Sequence, residues 1–179
     1  MKTYIFGYGS LINLESISKT IGREVYSENI EPVKLLHHRR IWNLKESIFS
    51  EVLKKDIIGI FLNIEPSQGQ WINGVLFEVS QTELFNLSER ERNYRCIEIS
   101  RDIIPYADFE SNGNLIFVYL ADDLNHLQNK PAPNYFVMNK YVEIVERGCF
   151  RIGNFFLDDY RKTTSDISFK KLDGMYRFN

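Results

Sequence analysis

The stretch from Tyr4 to Asn13 constrains the fold of this chain most. It joins a short apolar run, rich in residues that favour strands, to a turn that contains Gly7 and Gly9, and the turn leads into an amphipathic segment. Because glycine has no Cβ, such a turn can bring backbone N–H groups close to a ligand. A helix beginning just after the turn would direct its positive end to the same place. The stretch therefore predicts a strand, an anion-binding loop and a helix, in that order.

Three segments carry the start and stop signals of helices. Asn13 can cap the first, and Gly22 can supply the left-handed residue that ends it. Ser80 and Glu83 form a capping box at the start of the second. The expected helices, given with their caps, are Asn13–Gly22, Ser80–Arg92 and Asn134–Gly148.

Runs of strand-favouring residues lie between and after these helices. Pro66–Gly69 is expected to be a turn between two strands, and Gly74 a bulge or a close backbone approach. For Ser47–Asp56 a loop and a short helix are both open. The expected strands are Thr3–Gly7, Pro32–Leu36, Arg40–Leu44, Ile57–Ile64, Trp71–Val79, Tyr94–Ser100 and Leu115–Leu120. Because regular βαβ alternation is missing, the pattern predicts an α+β fold: a curled mixed β-sheet or partial barrel with flanking helices.

Size and charge limit the class of protein. A chain of 179 residues, 44% hydrophobic, fills one domain, and we expect residues 1–149 to form it and residues 150–179 to be a C-terminal extension packed on it. The net charge of −2 gives no reason to expect nucleic acid or a membrane surface as partner. The basic cluster His37–Arg40 is expected to be a solvated strand edge or loop.

The two cysteines, Cys96 and Cys149, lie far apart and lack metal-ligand spacing, so we expect free thiols in a reducing compartment. The chain shows no charged-then-apolar leader and no long apolar run, which predicts a soluble cytoplasmic protein. None of the three histidines has ligand spacing, and no metal or organic cofactor is expected. The oligomeric state stays open.

One acidic residue of the second helix does not fit an ordinary surface pattern. At about 100° per residue, Glu91 continues the apolar stripe of Leu84 and Leu87, whereas Glu89 lies about 140° from Leu84, on the solvent side. A partly buried carboxylate on that stripe would have a raised pKa and could exchange protons near neutral pH. The spacing alone also fits a solvated or salt-bridged glutamate at a helix end.

Two motifs together resemble the γ-glutamylcyclotransferase superfamily. Phe6-Gly7-Tyr8-Gly9-Ser10-Leu11 is similar to the Tyr-Gly-Ser loop of that family. The strand Gly74–Val79 and the segment Leu87–Arg95 are similar to its Gly-x-Leu-aromatic strand and the glutamate-bearing segment that follows, and Pro133-Asn134-Tyr135 resembles a later helix start. The order and spacing of the motifs also suit the family, over roughly residues 3 to 148.

The resemblance implies an activity and assigns site residues. The family cyclises a γ-glutamyl group to 5-oxoproline and releases an amine or amino acid. By position, Glu91 corresponds to the catalytic glutamate, whereas Ser88 stands where the family usually has aspartate. The implied substrate-binding residues are Tyr8, Gly9, Ser10, Leu11, Tyr94 and Tyr135. The implied partner is a small γ-glutamyl compound. Its leaving group is expected to contact one of two segments, Ser47–Asp56 or Asp122–Pro133.

Three alternatives stay open at this point. Gly7-x-Gly9 matches part of a dinucleotide-binding fingerprint, although Ile12 replaces its third glycine. A non-catalytic protein of the same fold could use the pocket to bind a small molecule or a protein. Both motifs could also be structural, with Glu91 in bulk water far from Gly9.

Overall fold

The protein folds around one curled, mixed β-sheet with α-helices packed around it. The computed structural model describes residues 1–91, 94–110 and 113–179, which form nine strands and four α-helices. The strands are β1 Thr3–Gly7, β2 Ile30–Ser50, β3 Lys55–Glu78, β4 Arg95–Glu98, β5 Ile103–Pro105, β6 Leu115–Leu120, β7 Tyr135–Met138, β8 Lys170–Leu172 and β9 Tyr176–Phe178. The α-helices are α1 Leu14–Ile21, α2 Gln81–Arg90, α3 Asn139–Ile152 and α4 Asn154–Thr163.

The sheet has the strand order β4-β6-β1-β3-β2-β5 and is not closed into a barrel. β1 lies parallel to β6 and antiparallel to β3, while β7 adds to β3 and β9 adds to β2 near the tip of the β2–β3 hairpin. The expected α+β architecture with a curled mixed sheet is confirmed. Over the described strands, β1 and the strand after α1 are not parallel neighbours, so the dinucleotide-binding βαβ arrangement is not formed.

Helices α1 and α2 have the predicted caps. The Asn13 side chain accepts hydrogen bonds from the amides of Glu15 and Ser16, and Gly22 ends α1 in the left-handed conformation. Ser80 and Glu83 form the predicted capping box of α2. The predicted end of this helix at Arg92 lies outside the described residues.

The segment Ser47–Asp56, for which a loop or a short helix was expected, is the tip of a long hairpin. Ile48 pairs with Ile57 and Ser50 with Lys55, so β2 and β3 continue to a tight turn in which Lys54 has a φ of 53°. A loop prediction holds only for the turn itself, and the helix prediction is wrong. The ladder of cross-strand pairs outweighs the weak local preference of the segment.

The prediction of a turn between two strands at Pro66–Gly69 is wrong. These residues lie inside β3, where the register shifts from the pair His38–Pro66 to the pair Leu36–Trp71. The extra residues leave the ladder as a bulge, and the chain then continues in the same strand. Gly74, farther along β3, is a close approach as expected, because a Cβ there would lie 2.4 Å from the ring of Phe6.

Only half of the basic cluster His37–Arg40 is solvated as expected: His37 and Arg39 are exposed, whereas His38 and Arg40 are buried. Arg40 is fully buried, and its guanidinium donates to the backbone and side-chain oxygens of Asn73 and to the Thr164 hydroxyl. Its charge also lies over the Tyr160 ring, 4.8 Å from the centroid. The arginine therefore connects β2 and β3 to the end of α4, and burial lowers its pKa.

The helix expected from Asn134 starts later and runs farther. Tyr135–Met138 forms β7, which pairs in parallel with β3 and β8, and α3 then continues through Gly148 to Ile152. Gly148 does not end the helix but lets it pack closely, since a Cβ there would lie 2.9 Å from the Asn13 backbone. The boundary expected after residue 149 falls inside α3, and residues beyond it supply α4, β8 and β9.

Candidate functional site

The loop that follows β1 is held tightly by its own neighbours. A Cβ on Gly7 would lie 2.4 Å from the carbonyl oxygen of Leu11, and a Cβ on Gly9 would lie 2.7 Å from the hydroxyl of Tyr141. The loop then turns through a short 3-10 helix, Ser10–Ile12. The glycines are thus required by packing inside the protein, which is a different reason from the ligand approach that the sequence suggested.

This loop forms one wall of a cavity of about 190 Å³. The opposite side comes from the inward faces of β2 and β3, the end of α2 and strand β6, with α3 and the C-terminal strand completing it. The lining residues are Ile5, Phe6, Gly7, Tyr8, Gly9, Ser10, Leu11, Thr20, Leu44, Glu46, Phe61, Leu62, Leu87, Glu91, Tyr94, Tyr119, Tyr141 and Phe178. The volume suits a small molecule, being below the roughly 300–1,000 Å³ of sites for drug-sized ligands.

Glu91 lies at the C-terminal end of α2 and lines this cavity together with Leu87. Its amide donates to the carbonyl of Leu87 at 2.7 Å, and its carbonyl accepts from the amide of Tyr94 at 2.8 Å, which fixes the backbone on both sides. Glu91 is half-buried, whereas Glu89 is exposed. The prediction that Glu91 continues the apolar face of the helix is therefore confirmed.

The negative charge of Glu91 acts on three tyrosines that line the cavity. Burial raises the pKa of Tyr8, Tyr94 and Tyr119, and the negative charge of Glu91 raises the pKa of all three further. These groups stay protonated at neutral pH and can donate hydrogen bonds. Tyr8 donates to the carbonyl of Tyr119 at 3.0 Å, which joins the loop to β6.

Ser88, the departure from the family pattern, has a defined partner. Its hydroxyl is hydrogen-bonded to the Tyr119 hydroxyl at 2.7 Å and donates to the carbonyl of Leu84 at 3.0 Å. Serine thus fixes the orientation of one cavity tyrosine through a neutral contact. An aspartate in the same position would bring a second negative charge close to Glu91.

Most of the predicted site residues come together in this cavity. Tyr8, Gly9, Ser10 and Leu11 line one side and Glu91 and Tyr94 the other, although the two groups are far apart in sequence. Tyr135 does not line the cavity. It lies at the start of β7, where it pairs with Ile58. A substrate contact by Tyr135 stays a prediction that the lining of the cavity does not support.

The lining residues that were not predicted from the sequence include Glu46, Tyr141 and Phe178. Glu46 had a detectable signal, because it stands between Leu44 and Ile48 at the period of two that marks one face of a strand. Tyr141 and Phe178 reach the cavity through long-range packing. Neither Ser47–Asp56 nor Asp122–Pro133, the segments expected beside a leaving group, lines it.

The described parts of the chain contain neither a cluster of metal-ligating side chains nor a helix that could cross a bilayer. Within residues 1–91, 94–110 and 113–179, no three His, Cys, Asp or Glu side chains are grouped so as to hold a metal ion. Among the helices of the same ranges, none has the length and apolar character needed to cross a bilayer. Both cysteines are free, with Cys96 exposed and Cys149 buried.

Alkaline pH is expected to unfold the protein in a cooperative transition. Among the described residues, burial is the main cause that raises the pKa of eight tyrosines above the ordinary 10.0, in the case of Tyr176 to about 12. The other seven are Tyr4, Tyr8, Tyr94, Tyr106, Tyr119, Tyr141 and Tyr160. A group whose pKa is raised by folding contributes its stability fully below the unfolded pKa and loses that contribution as pH rises through the folded one. The free energy of unfolding should therefore fall steeply from pH 10 to pH 12.

Urea denaturation at a series of pH values, followed together with tyrosinate absorbance, measures this loss. Tyr176→Phe should make the decline less steep, because one of the titrating groups is then absent. A free energy of unfolding that stays constant over the same range would mean that the phenols ionise in the folded protein, contrary to the expectation.

Comparison with known proteins identifies the fold. No protein-family model and no curated protein matches the chain. Among solved structures, a γ-glutamyl cyclotransferase superposes with a TM-score of 0.62 at 16% identity, over 96% of this chain and 94% of the other. YkqA from Bacillus subtilis gives 0.59 at 20% identity, over 90% of this chain and 53% of the other. A γ-glutamyl cyclotransferase from yeast that is specific to glutathione gives 0.53 at 11% identity, over 93% and 89%.

The chain therefore has the γ-glutamyl cyclotransferase fold, as its two motifs predict. At these identities the likeness concerns the fold alone, and the activity has to be argued from the site.

Proposed function

We propose that the protein is a γ-glutamylcyclotransferase-type enzyme, which converts a γ-glutamyl compound to 5-oxoproline and a free amine or amino acid. The observation that carries the proposal is the meeting of two distant motifs in one cavity. The loop Gly7–Leu11 and the carboxylate-bearing residue Glu91 both line it. The alternative in which both motifs are structural required Glu91 far from Gly9 in bulk water, and the half-buried position of Glu91 in the same cavity speaks against it.

The reaction needs positioning and proton transfer rather than a strong external nucleophile. The substrate's own α-amine attacks its γ-carbonyl carbon, a C–N bond forms to close a five-membered ring, and the C–N bond to the leaving nitrogen breaks. The ring nitrogen gives up two of its three protons and the leaving nitrogen gains two, so neither water nor a net proton is consumed. Because the ring closes within one molecule, correct orientation supplies much of the rate.

In this proposal Glu91 is the proton shuttle. Its carboxylate would accept a proton from the α-ammonium and return one to the departing nitrogen, both of which lie close together in the ring-closing geometry. The fixed backbone around Glu91 would hold its carboxylate in place. The hydroxyls of Tyr8 and Tyr94, whose protons go to the Tyr119 carbonyl and to Glu46, would accept hydrogen bonds from the substrate's α-ammonium. Backbone N–H groups of the loop Gly7–Leu11 would hold the α-carboxylate or donate to the developing oxyanion.

A substrate screen tests the proposal directly. The purified protein is incubated with glutathione, γ-glutamyl amino acids, γ-glutamyl amines and a biosynthetic intermediate that carries a γ-glutamyl group. Release of 5-oxoproline is measured by mass spectrometry. At least one class should give 5-oxoproline in proportion to enzyme and time. If no class does, the protein is not an enzyme of this type.

The second candidate is a non-catalytic protein of the same fold that binds a small molecule or a protein. The observation in its favour is Ser88, a neutral residue bonded to Tyr119 at the position where the resembling family usually has aspartate. The screen separates the candidates when calorimetry accompanies it. Saturable binding of a γ-glutamyl compound without 5-oxoproline release would favour the binding protein.

A further inference from the structure

Glu46 is a carboxylate that stands between two buried apolar residues on one face of β2. It alternates along β2 with Leu44 and Ile48, which are 6% and 0% exposed and belong to the hydrophobic core. The side chain consequently points to the inside of the sheet and lines the cavity described above. A charged group on such a face lowers the stability of the fold unless polar partners surround it. The position of Glu46 therefore indicates a ligand or a structural partner.

One polar partner of Glu46 is visible. Tyr94 donates its hydroxyl to the Oε1 atom of Glu46 at 2.9 Å. Among the side chains that the structure describes, Glu46 has no salt-bridge partner. Glu91 and Tyr94 line the same cavity as Glu46, so this cavity holds two carboxylates. The proposed reaction uses Glu91 and leaves Glu46 without a role.

The surroundings of Glu46 are apolar and aromatic. Leu44 is its neighbour on the strand face, and Phe61 and Phe178 also line the cavity, with ring centroids 5.3 Å apart. Phe178 comes from β9, which pairs with β2 at Ile48–Ser50, directly after Glu46. A carboxylate beside such a wall suits a ligand with an aliphatic stem and a positive charge at its end.

We propose, on the basis of the proposed function, that Glu46 selects the leaving group. It binds an ammonium at the far end of an aliphatic amine, while Leu44, Phe61 and Phe178 contact the methylene groups. The preferred substrates are then γ-glutamyl amides of diamines or polyamines. A leaving group that ends in a carboxylate, as in glutathione, is disfavoured because it meets the negative charges of Glu46 and Glu91.

Three γ-glutamyl amides of matched length test this inference. Their leaving groups are diaminopentane, hexylamine and aminohexanoate, which end in an ammonium, a methyl group and a carboxylate. For the wild-type protein, kcat/KM should be about 10-fold higher for the diaminopentane amide than for the hexylamine amide. The aminohexanoate amide should be the poorest of the three.

Glu46→Gln keeps an acceptor for Tyr94 but removes the charge. This variant should abolish the preference for the diaminopentane amide. It should raise kcat/KM for the aminohexanoate amide and change kcat/KM for the hexylamine amide little. Glu31→Gln, on the same strand but outside the cavity, is the matched control and should keep the wild-type order.

The outcomes separate the inference from the function on which it rests. Turnover of all three amides without preference in the wild type overturns the inference and leaves the proposed function standing. If Glu46→Gln lowers kcat/KM equally for all three amides, the inference is also overturned, since Glu46 would then act on the shared γ-glutamyl head. If no amide, and no compound of the wider screen, yields 5-oxoproline, the proposed function fails as well.

Discussion

Glu91→Gln is expected to lower kcat for 5-oxoproline release by about 10³-fold, the effect of removing a general acid–base. Glutamine has nearly the shape of glutamate and keeps the helix-end backbone contacts to Leu87 and Tyr94, but it cannot accept or return a proton. Binding of 5-oxoproline, measured by calorimetry, should change little, so the loss should appear in kcat rather than in affinity. The measurement is the initial rate with the best substrate of the screen.

Glu89→Gln is the matched control for this variant. Glu89 lies two residues earlier on the same helix and is exposed, so its neutralisation should leave kcat and the melting temperature unchanged. If Glu91→Gln keeps more than about a tenth of the wild-type kcat, Glu91 is not the proton shuttle. A lost affinity with unchanged kcat would instead indicate a binding role.

The helix-face argument worked for Glu91 because the information is local. The period of an α-helix, the capping box at Ser80 and the spacing of Leu84 and Leu87 define one face of α2 without any tertiary contact. The cap at Asn13 is local in the same way, and it too agrees with the structure. The ends of α1 and the face of α2 could therefore be predicted from the sequence.

The errors concern segments whose structure depends on distant partners. Tyr135–Met138 has residues at helical spacing, but its pairing with β3 and β8 makes it a strand. The hairpin tip at Ser47–Asp56 and the bulge at Pro66–Gly69 likewise depend on cross-strand register. Local propensity loses to such contacts because pairing and burial stabilise a strand by more than the difference in propensity.

The candidate site shows the same division. The loop Gly7–Leu11 and Glu91 were found from motifs, whereas Tyr141 and Phe178 reach the cavity from α3 and β9 and leave no signal in sequence spacing. Glu46 is intermediate, because its strand face could have been recognised had β2 been predicted to its full length. The residues proposed to set specificity are thus harder to predict from the sequence than the proposed proton shuttle.

Gly7→Ala is expected to damage both stability and activity. The new Cβ would lie 2.4 Å from the carbonyl oxygen of Leu11 and 2.8 Å from its carbonyl carbon, and these are backbone atoms that cannot rotate away. The loop must therefore shift as a unit. Such overpacking costs about 2 kcal/mol, which for a domain of this size corresponds to a melting temperature lower by about 6 °C.

The shift moves the very loop that is proposed to hold the substrate. A displacement of about 1 Å in a positioning group can lower kcat/KM by about 100-fold, and we expect a loss of that size for Gly7→Ala. Gly22→Ala is the contrasting variant: a Cβ there meets no atom within 4 Å, and only the left-handed backbone at φ 77° is strained. Gly22→Ala should lower the free energy of unfolding by about 1 kcal/mol and leave kcat/KM unchanged. Thermal unfolding and steady-state kinetics of the two variants therefore separate general destabilisation from displacement of the loop. Equal kinetic losses in both would show that the loop geometry does not control turnover.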